Sequence, residues 1–311
     1  MNPLHTHRPC ELASLPAEQR WLIDGLWGHQ AVGIVGGEPK CYKSFLALDI
    51  AVAVASGTAC LRRFPVAHPG PVVLFAAEDA LHTVRQRLEG ISLAANTSFA
   101  ALDIHVITSP TLRIDLENDR RRLSDTVSSL RPRLLVLDPF VRLHRVDENA
   151  AADVAPLLAF LRTLQRHFHT AVLLVHHARK SSHARAGQAL RGSSELHAWG
   201  DSNLYLRRDR NQLWLSVEHR AAPSALPLAA ELHTKHNAVA LRIIERQLPA
   251  HNATPPPTER ILQALTSTQH PLTRRALRDA CRMRTASVGD ALTILLEQGR
   301  IIEDVGGFRI A

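Results

Sequence analysis

A short apolar run, Ala31-Val32-Gly33-Ile34-Val35, passes through Gly36-Gly37-Glu38-Pro39-Lys40-Cys41-Tyr42 into Lys43-Ser44, and the apolar stretch Phe45 to Ala55 follows at once. A run of strand length, a Gly-rich turn and a run of helical length read as strand, loop, helix. The Lys-Ser pair at the helix start gives that loop a chemical meaning. Successive backbone N–H groups and the helix N-terminus suit an anion, the Lys reaches outer phosphates, and the hydroxyl suits Mg2+. The stretch is therefore expected to hold the phosphates of a nucleotide, with Gly37, Pro39, Lys40, Cys41, Tyr42, Lys43, Ser44 and Phe45 around them. Tyr42 departs from the pattern, which has Gly there because Gly permits unusual dihedrals and close phosphate approach. A side chain at this point must be accommodated.

Further continuous apolar runs lie downstream, Val72 to Ala77, Leu134 to Leu137 and Ala171 to Val175, and Ile104-His105-Val106-Ile107 is another candidate strand. Continuous rather than alternating apolarity is what a parallel strand buried on both faces shows. Helical patterns separate them, through Leu81, Val84, Leu88 and Ile91, over 117–130, and over 153–168, where Val154, Leu157, Leu158, Leu161, Leu164 and Phe168 form one stripe. Strand and helix alternating in this way predict an α/β fold, a doubly wound and mostly parallel sheet that binds ligands outside the carboxyl ends of its strands. Asn203–Leu206, Gln212–Val217 and Val239–Ile244 read as short strands of an antiparallel extension on one edge.

Residues 1–15 read as a flexible tail and 16–249 as the ATPase domain. Thr254-Pro255-Pro256-Pro257 marks a stiff linker over 250–257. Beyond it, 258–311 predicts three short helices: one with Ile261, Leu262 and Leu265, one capped by Thr273, and one starting at Ser287 and stopped by Gly299. A hairpin turning at Gly306-Gly307 ends the chain, which makes a small winged helix-turn-helix domain.

Two carboxylates end apolar strands. Asp138, after Leu134 to Leu137, has the placement of a Walker B residue and, with Ser44, is expected to hold Mg2+. Glu78, after Val72 to Ala77, is the candidate to orient and deprotonate water. His176 and His177 close a further strand, where one of them could touch a γ-phosphate. The following segment carries Arg179, Lys180, Arg185 and Arg191 without an acid, and Arg274, Arg275, Arg278, Arg282 and Arg284 crowd the second C-terminal helix and the turn after it. With a formal net charge of +8, these residues point to a polyanionic partner, DNA. The four cysteines have neither disulfide nor metal spacing, and the 18 histidines show no HExxH pattern, so most are expected at the surface or at sheet edges. No stretch has the length and apolarity of a membrane span or a signal peptide, and a cytoplasmic location is expected.

Taken together, Trp21-Leu22-Ile23-Asp24-Gly25-Leu26, Gly37-Glu38-Pro39-Lys40 with Lys43-Ser44, Ala76-Ala77-Glu78-Asp79, Val136-Leu137-Asp138-Pro139, Val175-His176-His177 with Lys180, and Arg191-Gly192-Ser193-Ser194 resemble the RepA-like plasmid and phage replicative helicases, ring ATPases of the RecA-like class. The resemblance covers about residues 20–245. It implies a RecA-like P-loop NTPase domain that hydrolyses ATP, with Glu78 as catalytic base and Lys43 and Ser44 on phosphate and Mg2+. It also implies Asp138 in the metal shell, a His of the 176–177 pair as sensor, and a homo-hexameric ring with DNA in its pore. After Ser194 the first arginines are Arg207 and Arg208, which stand as arginine-finger candidates by proximity. An ATP-dependent DNA motor is the leading expectation. An ATP-regulated DNA-binding protein without productive unwinding is the alternative, and a small-molecule kinase is disfavoured by the basic charge.

Overall fold

A computed structural model describes residues 6–12, 16, 19–177, 194–209, 211–223, 226–245, 257–268, 270–281, 283 and 285–311. The chain forms two compact units, Met1–Arg246 and Gln247–Ala311. The 250–257 linker lies outside the described residues except for Pro257, and of the expected tail only 6–12 are described, with a single turn of 3-10 helix at Pro9–Glu11.

In the larger unit, the lead-in to the phosphate loop is a two-stranded ribbon, β1 (Trp21–Ile23) and β2 (Trp27–Gly28), that buries Trp27 completely. β3 (Val32–Gly37) then enters α1 (Lys43–Ser56), and β4 (Val72–Ala76) enters α2 (Leu81–Ala94). β5 (Ile104–Val106), α3 (Glu117–Leu130), β6 (Leu134–Asp138), α4 (Ala151–Phe168) and β7 (Ala171–His177) follow. A short α5 (Ser194–Trp199) leads into β8 (Ser202–Asp209), β9 (Gln212–His219), β10 (Leu228–Lys235) and β11 (Ala238–Ile244).

Nine of these strands form one sheet in the order β11-β10-β9-β8-β3-β7-β6-β4-β5. β8, β3, β7, β6, β4 and β5 run parallel, and β9, β10 and β11 are antiparallel additions. The expectation that Asn203–Leu206 belongs to the antiparallel edge is therefore corrected: β8 lies against β3 as a central parallel strand. Side chains hold it there, since the N–H groups of Gly28 and Ile34 donate to Ser202 Oγ at 3.0 Å and Asn203 Oδ1 at 3.1 Å. β10 was not expected at all. Its Ala229, Ala230, Glu231 and Lys235 carry little β-propensity, and pairing with β9 and β11 supplies what local preference does not.

Alternation along the strands divides the core into two layers. Val35, Leu74, Val136, Val175 and Leu204 pack under α1 and α2, whereas Ile34, Phe75, Leu137, Leu174 and Tyr205 pack under α3, α4 and α5. α1 is apolar nearly all round and is buried accordingly. The stripe on α4 forms as expected, but Leu81, at the first turn of α2, is exposed.

The smaller unit contains α6 (Pro257–Thr266), α7 (Arg274–Cys281), α8 (Thr285–Glu297) and the hairpin of β12 (Ile301–Asp304) with β13 (Gly307–Ile310). Thr273 Oγ1 accepts the N–H of Ala276 at 3.2 Å and so caps α7. α8 begins two residues before Ser287, and the hairpin turns at Val305-Gly306 rather than at Gly306-Gly307. Ile261, Leu277, Leu292, Leu295, Ile301 and Phe308 make its own core.

β3 can sit between β7 and β8 only because Gly33 has no side chain: a Cβ there would lie 1.6 Å from the Ser202 carbonyl oxygen. Gly33→Ala is expected to lower stability by about 3 kcal/mol or more, since the obstacle is backbone rather than a side chain that can turn away. Urea denaturation would show this as a lower midpoint, and an unchanged midpoint would contradict so close an approach of β8.

Candidate active site

The loop from Glu38 to Tyr42 connects the buried strand β3 to the buried helix α1, so it is anchored at both ends. Lys40 and Tyr42 take left-handed backbone angles, φ 65° and 62°. Each costs a non-Gly residue about 1–2 kcal/mol, which surrounding contacts must offset. For Tyr42 the contacts are visible. The Arg208 guanidinium on β8 stacks 5.3 Å from its ring centre, and Phe45 meets it edge-on at 6.4 Å. Arg87 of α2 lies over Phe45 at 5.3 Å and pairs with Asp79 just beyond β4. The half-buried tyrosine is thus accommodated in a layer of alternating cations and rings, each cation–ring contact worth about 0.5–1 kcal/mol. Gly37 permits the loop to leave the sheet, because a Cβ there would approach the Leu206 carbonyl oxygen at 2.3 Å.

Lys43, Ser44 and Asp138 meet at the carboxyl edge of the sheet, in a pocket of about 290 Å3 also lined by Lys40, Tyr42, Phe45, Glu78, Asp79 and Arg87. Lys43 and Asp138 are buried. Lys43 Nζ donates to the Glu38 carbonyl at 2.8 Å. Burial lowers its pKa, while Cys41, Asp138, Glu78 and Glu38 nearby work the other way. Asp138 is pushed up to about 6, chiefly by burial, with the charges of Asp79 and Glu78 adding to it and the Ser44 hydroxyl and Lys43 opposing it. Gly37, Pro39 and Cys41 are the expected loop residues that do not line this pocket. Cys41 is buried within the loop, and burial raises its thiol.

Glu78 stands two residues beyond β4, beside the Walker B strand β6, and its side chain is 44% exposed. Sequence reasoning missed its partner. Arg142, in the single 3-10 turn after β6, donates from Nε to Glu78 Oε1 at 2.8 Å. An exposed Arg four residues after Asp138 carries no local signal of this pairing, which depends on β4 lying next to β6.

The histidine pair divides. His177 follows Val175 in the alternation, on the face that carries α1 and Asp138, and it is level with Gly37 in the β3–β7 register. His176 takes the other face, where its ring lies 6.1 Å from Phe140. The expectation that His176 lines the nucleotide is corrected by this geometry. His144 and His176 are both buried. Arg179, Lys180, Arg185, Arg191, Arg282 and Arg284 lie outside the described residues. In the smaller unit, Arg275 is exposed, Arg274 stacks 5.6 Å over Phe308, and Arg278 pairs with Asp279 at 2.7 Å.

Among the described residues no cluster of three His, Cys, Asp or Glu side chains is arranged to hold a metal alone. The donors present suit Mg2+ bound in part through substrate phosphate and water: one hydroxyl, one buried carboxylate and a pocket open to an anion. The raised pKa of Asp138 has a consequence for stability. Between about pH 4 and 6 the folded chain holds a proton that the unfolded chain has released, so stability from this group falls as pH rises through that window and stays lower above it. Asp138→Asn, without Mg2+ or nucleotide, is therefore expected to be more stable than the parent at pH 8 by about 2–3 kcal/mol at most, with the gap closing towards pH 4. Thermal melts across that range check it, and a destabilised Asp138→Asn at pH 8 would contradict it.

A family model described as an AAA domain matches residues 5–183, more than half of the chain. The structure is similar to the RadB recombinase, with 15% identity, a TM-score of 0.51, and coverage of 70% of this chain and 91% of that one. A KaiC-like protein from the hyperthermophilic archaeon Pyrococcus horikoshii aligns over 71% of this chain and 93% of its own, with 13% identity and a TM-score of 0.49. The likeness to the RadB recombinase concerns the fold alone. The chain belongs to the AAA domain family, and its larger unit has the RecA-like P-loop fold.

Proposed function

We propose that this protein is an ATP-dependent DNA motor of the RepA-like helicase kind, cytoplasmic and acting as a hexameric ring in the replication of a plasmid, phage or integrated element. The observation that carries the hydrolytic part is the convergence of Lys43, Ser44, Asp138 and Glu78 on one pocket at the carboxyl edge of the sheet. Lys43 would leave the Glu38 carbonyl to meet the outer phosphates, beside the backbone N–H groups at the start of α1. Ser44 and Asp138 would hold Mg2+, which when bound neutralises phosphate charge. Glu78 would orient the attacking water and take its proton, once its oxygen is released from Arg142. His177, on the same face, would report whether the last phosphate is present.

Phe45 and Arg87 also line a second cleft of about 760 Å3, between α2 and the turn joining β10 to β11, with room for the nucleoside. Arg208 is engaged with the Tyr42 of its own chain, which leaves Arg207, exposed on β8, as the arginine to reach a neighbouring copy's nucleotide. The basic segment 179–191 and the arginines of the smaller unit, read as a winged helix-turn-helix domain, would contact DNA phosphates rather than base edges.

The pairing of Glu78 with Arg142 favours a second reading, an ATP-regulated DNA-binding protein in which the candidate base stays engaged. Steady-state ATPase with and without single-stranded DNA separates the two. The motor is expected to turn over faster with DNA, and Glu78→Gln to lose about a hundredfold or more in kcat while Mg·ATP still binds. Mg·ATP binding without turnover in either condition would leave the second reading.

A further inference from the structure

The carboxyl edge of the sheet carries another polar cluster on the face away from the phosphate loop. β6 runs out through Phe140 into the segment that bears His144 and Glu148 before α4 begins. Glu148 Oε1 lies 3.6 Å from His144 Nε2 and 3.9 Å from His176 Nδ1, with the side chains of His144 and His176 only 1% and 2% exposed and that of Glu148 17%. The Phe140 ring packs against both imidazoles, at 4.5 and 6.1 Å between centres.

This arrangement is costly if its only task is to fill space. Taking a carboxylate out of water costs several kcal/mol, and apolar residues of the same volume commonly pack as well or better. Burial works against charge on Glu148, but the imidazoles of His144, His176 and His177 outweigh it and hold the carboxyl below its ordinary range. The charge is retained, so its use is in orientation.

What it orients follows from the alternation of β7. His176 and His177 are consecutive and leave the strand on opposite faces, and His177 is level with Gly37 at the start of the phosphate loop. Holding the His176 ring from one face fixes the strand end from which His177 projects on the other. We propose that Glu148 is a positioning residue for ATP hydrolysis, clamping His176 against His144 so that His177 is presented to the terminal phosphate. The proposal rests on the reading of the chain as an ATPase.

The test is steady-state ATPase of the full chain as Glu148→Gln, Glu148→Ala, His177→Ala and the Glu148→Gln/His177→Ala double variant. Glu148→Gln keeps the volume and removes the charge, so it decides the matter if Glu148→Ala fails to fold. The expected result is a kcat lowered about tenfold with KM for ATP changed less than about twofold, and no further loss when Glu148→Gln is added to His177→Ala. A Glu148→Gln kcat equal to the parent's, or losses that multiply in the double variant, would overturn the positioning role while leaving the ATPase reading intact. An unmodified chain that does not hydrolyse ATP would overturn both.

Discussion

Lys43 and Asp138 are withdrawn from water together at the carboxyl edge of the parallel sheet, and the rest of the larger unit is arranged to make that tolerable. Alone, either charge would cost several kcal/mol in such a place. Side by side, with the Ser44 hydroxyl and the Glu38 carbonyl in reach, they form a site that is polar, partly dry and short of compensating charge. Such a site is suited to an anion accompanied by a divalent cation. The Gly33 approach brings β8 against β3, Gly37 lets the loop turn away, and the burial of α1 fixes the other end of the loop. Strain in the loop at Lys40 and Tyr42 persists because both flanking elements are immobilised by the core.

The same edge has two sides with different chemistry. On the α1 side lie Asp138 with the phosphate loop and, by the alternation of β7, His177 level with Gly37, and on the α4 side lie His144, Glu148 and His176. A parallel strand is the natural element for linking such sites, because neighbouring residues on it serve opposite faces while sharing one backbone. The ion pairs Arg142–Glu78 and Arg87–Asp79 sit at the mouth, at least partly in water, where pairs of this kind contribute about 0–1 kcal/mol. They are weak enough to exchange partners when a ligand enters.

Much of this was legible in the sequence because β3, β4, β6 and β7 are continuous apolar runs, and the phosphate loop, Glu78, Asp138 and the His176–His177 pair stand at their ends. Lys43-Ser44, Asp138 and Glu78 could be placed on a common edge from topology alone. What escaped depended on pairing between distant segments. β8 looked like an edge strand because its parallel partner β3 is some 170 residues earlier, and its place is set by Gly33 and by the side chains of Ser202 and Asn203. β10 escaped because alanines and charged residues form it only between two neighbours. Arg142 and Glu148 carried no motif, and the division of His176 from His177 required knowing which face α1 covers. Tyr42 was visible as a departure, but the Arg208 and Phe45 contacts that accommodate it come from β8 and α1.

The central claim is that the pocket between β3, β4 and β6 binds Mg·ATP through Lys43. Calorimetric titration of Mg·ATP into the full chain and into Lys43→Ala tests it most directly. The account predicts one site per chain in the parent and at least about a tenfold weaker affinity in Lys43→Ala. Equal affinity in the two proteins, or no binding heat in the parent, would contradict it.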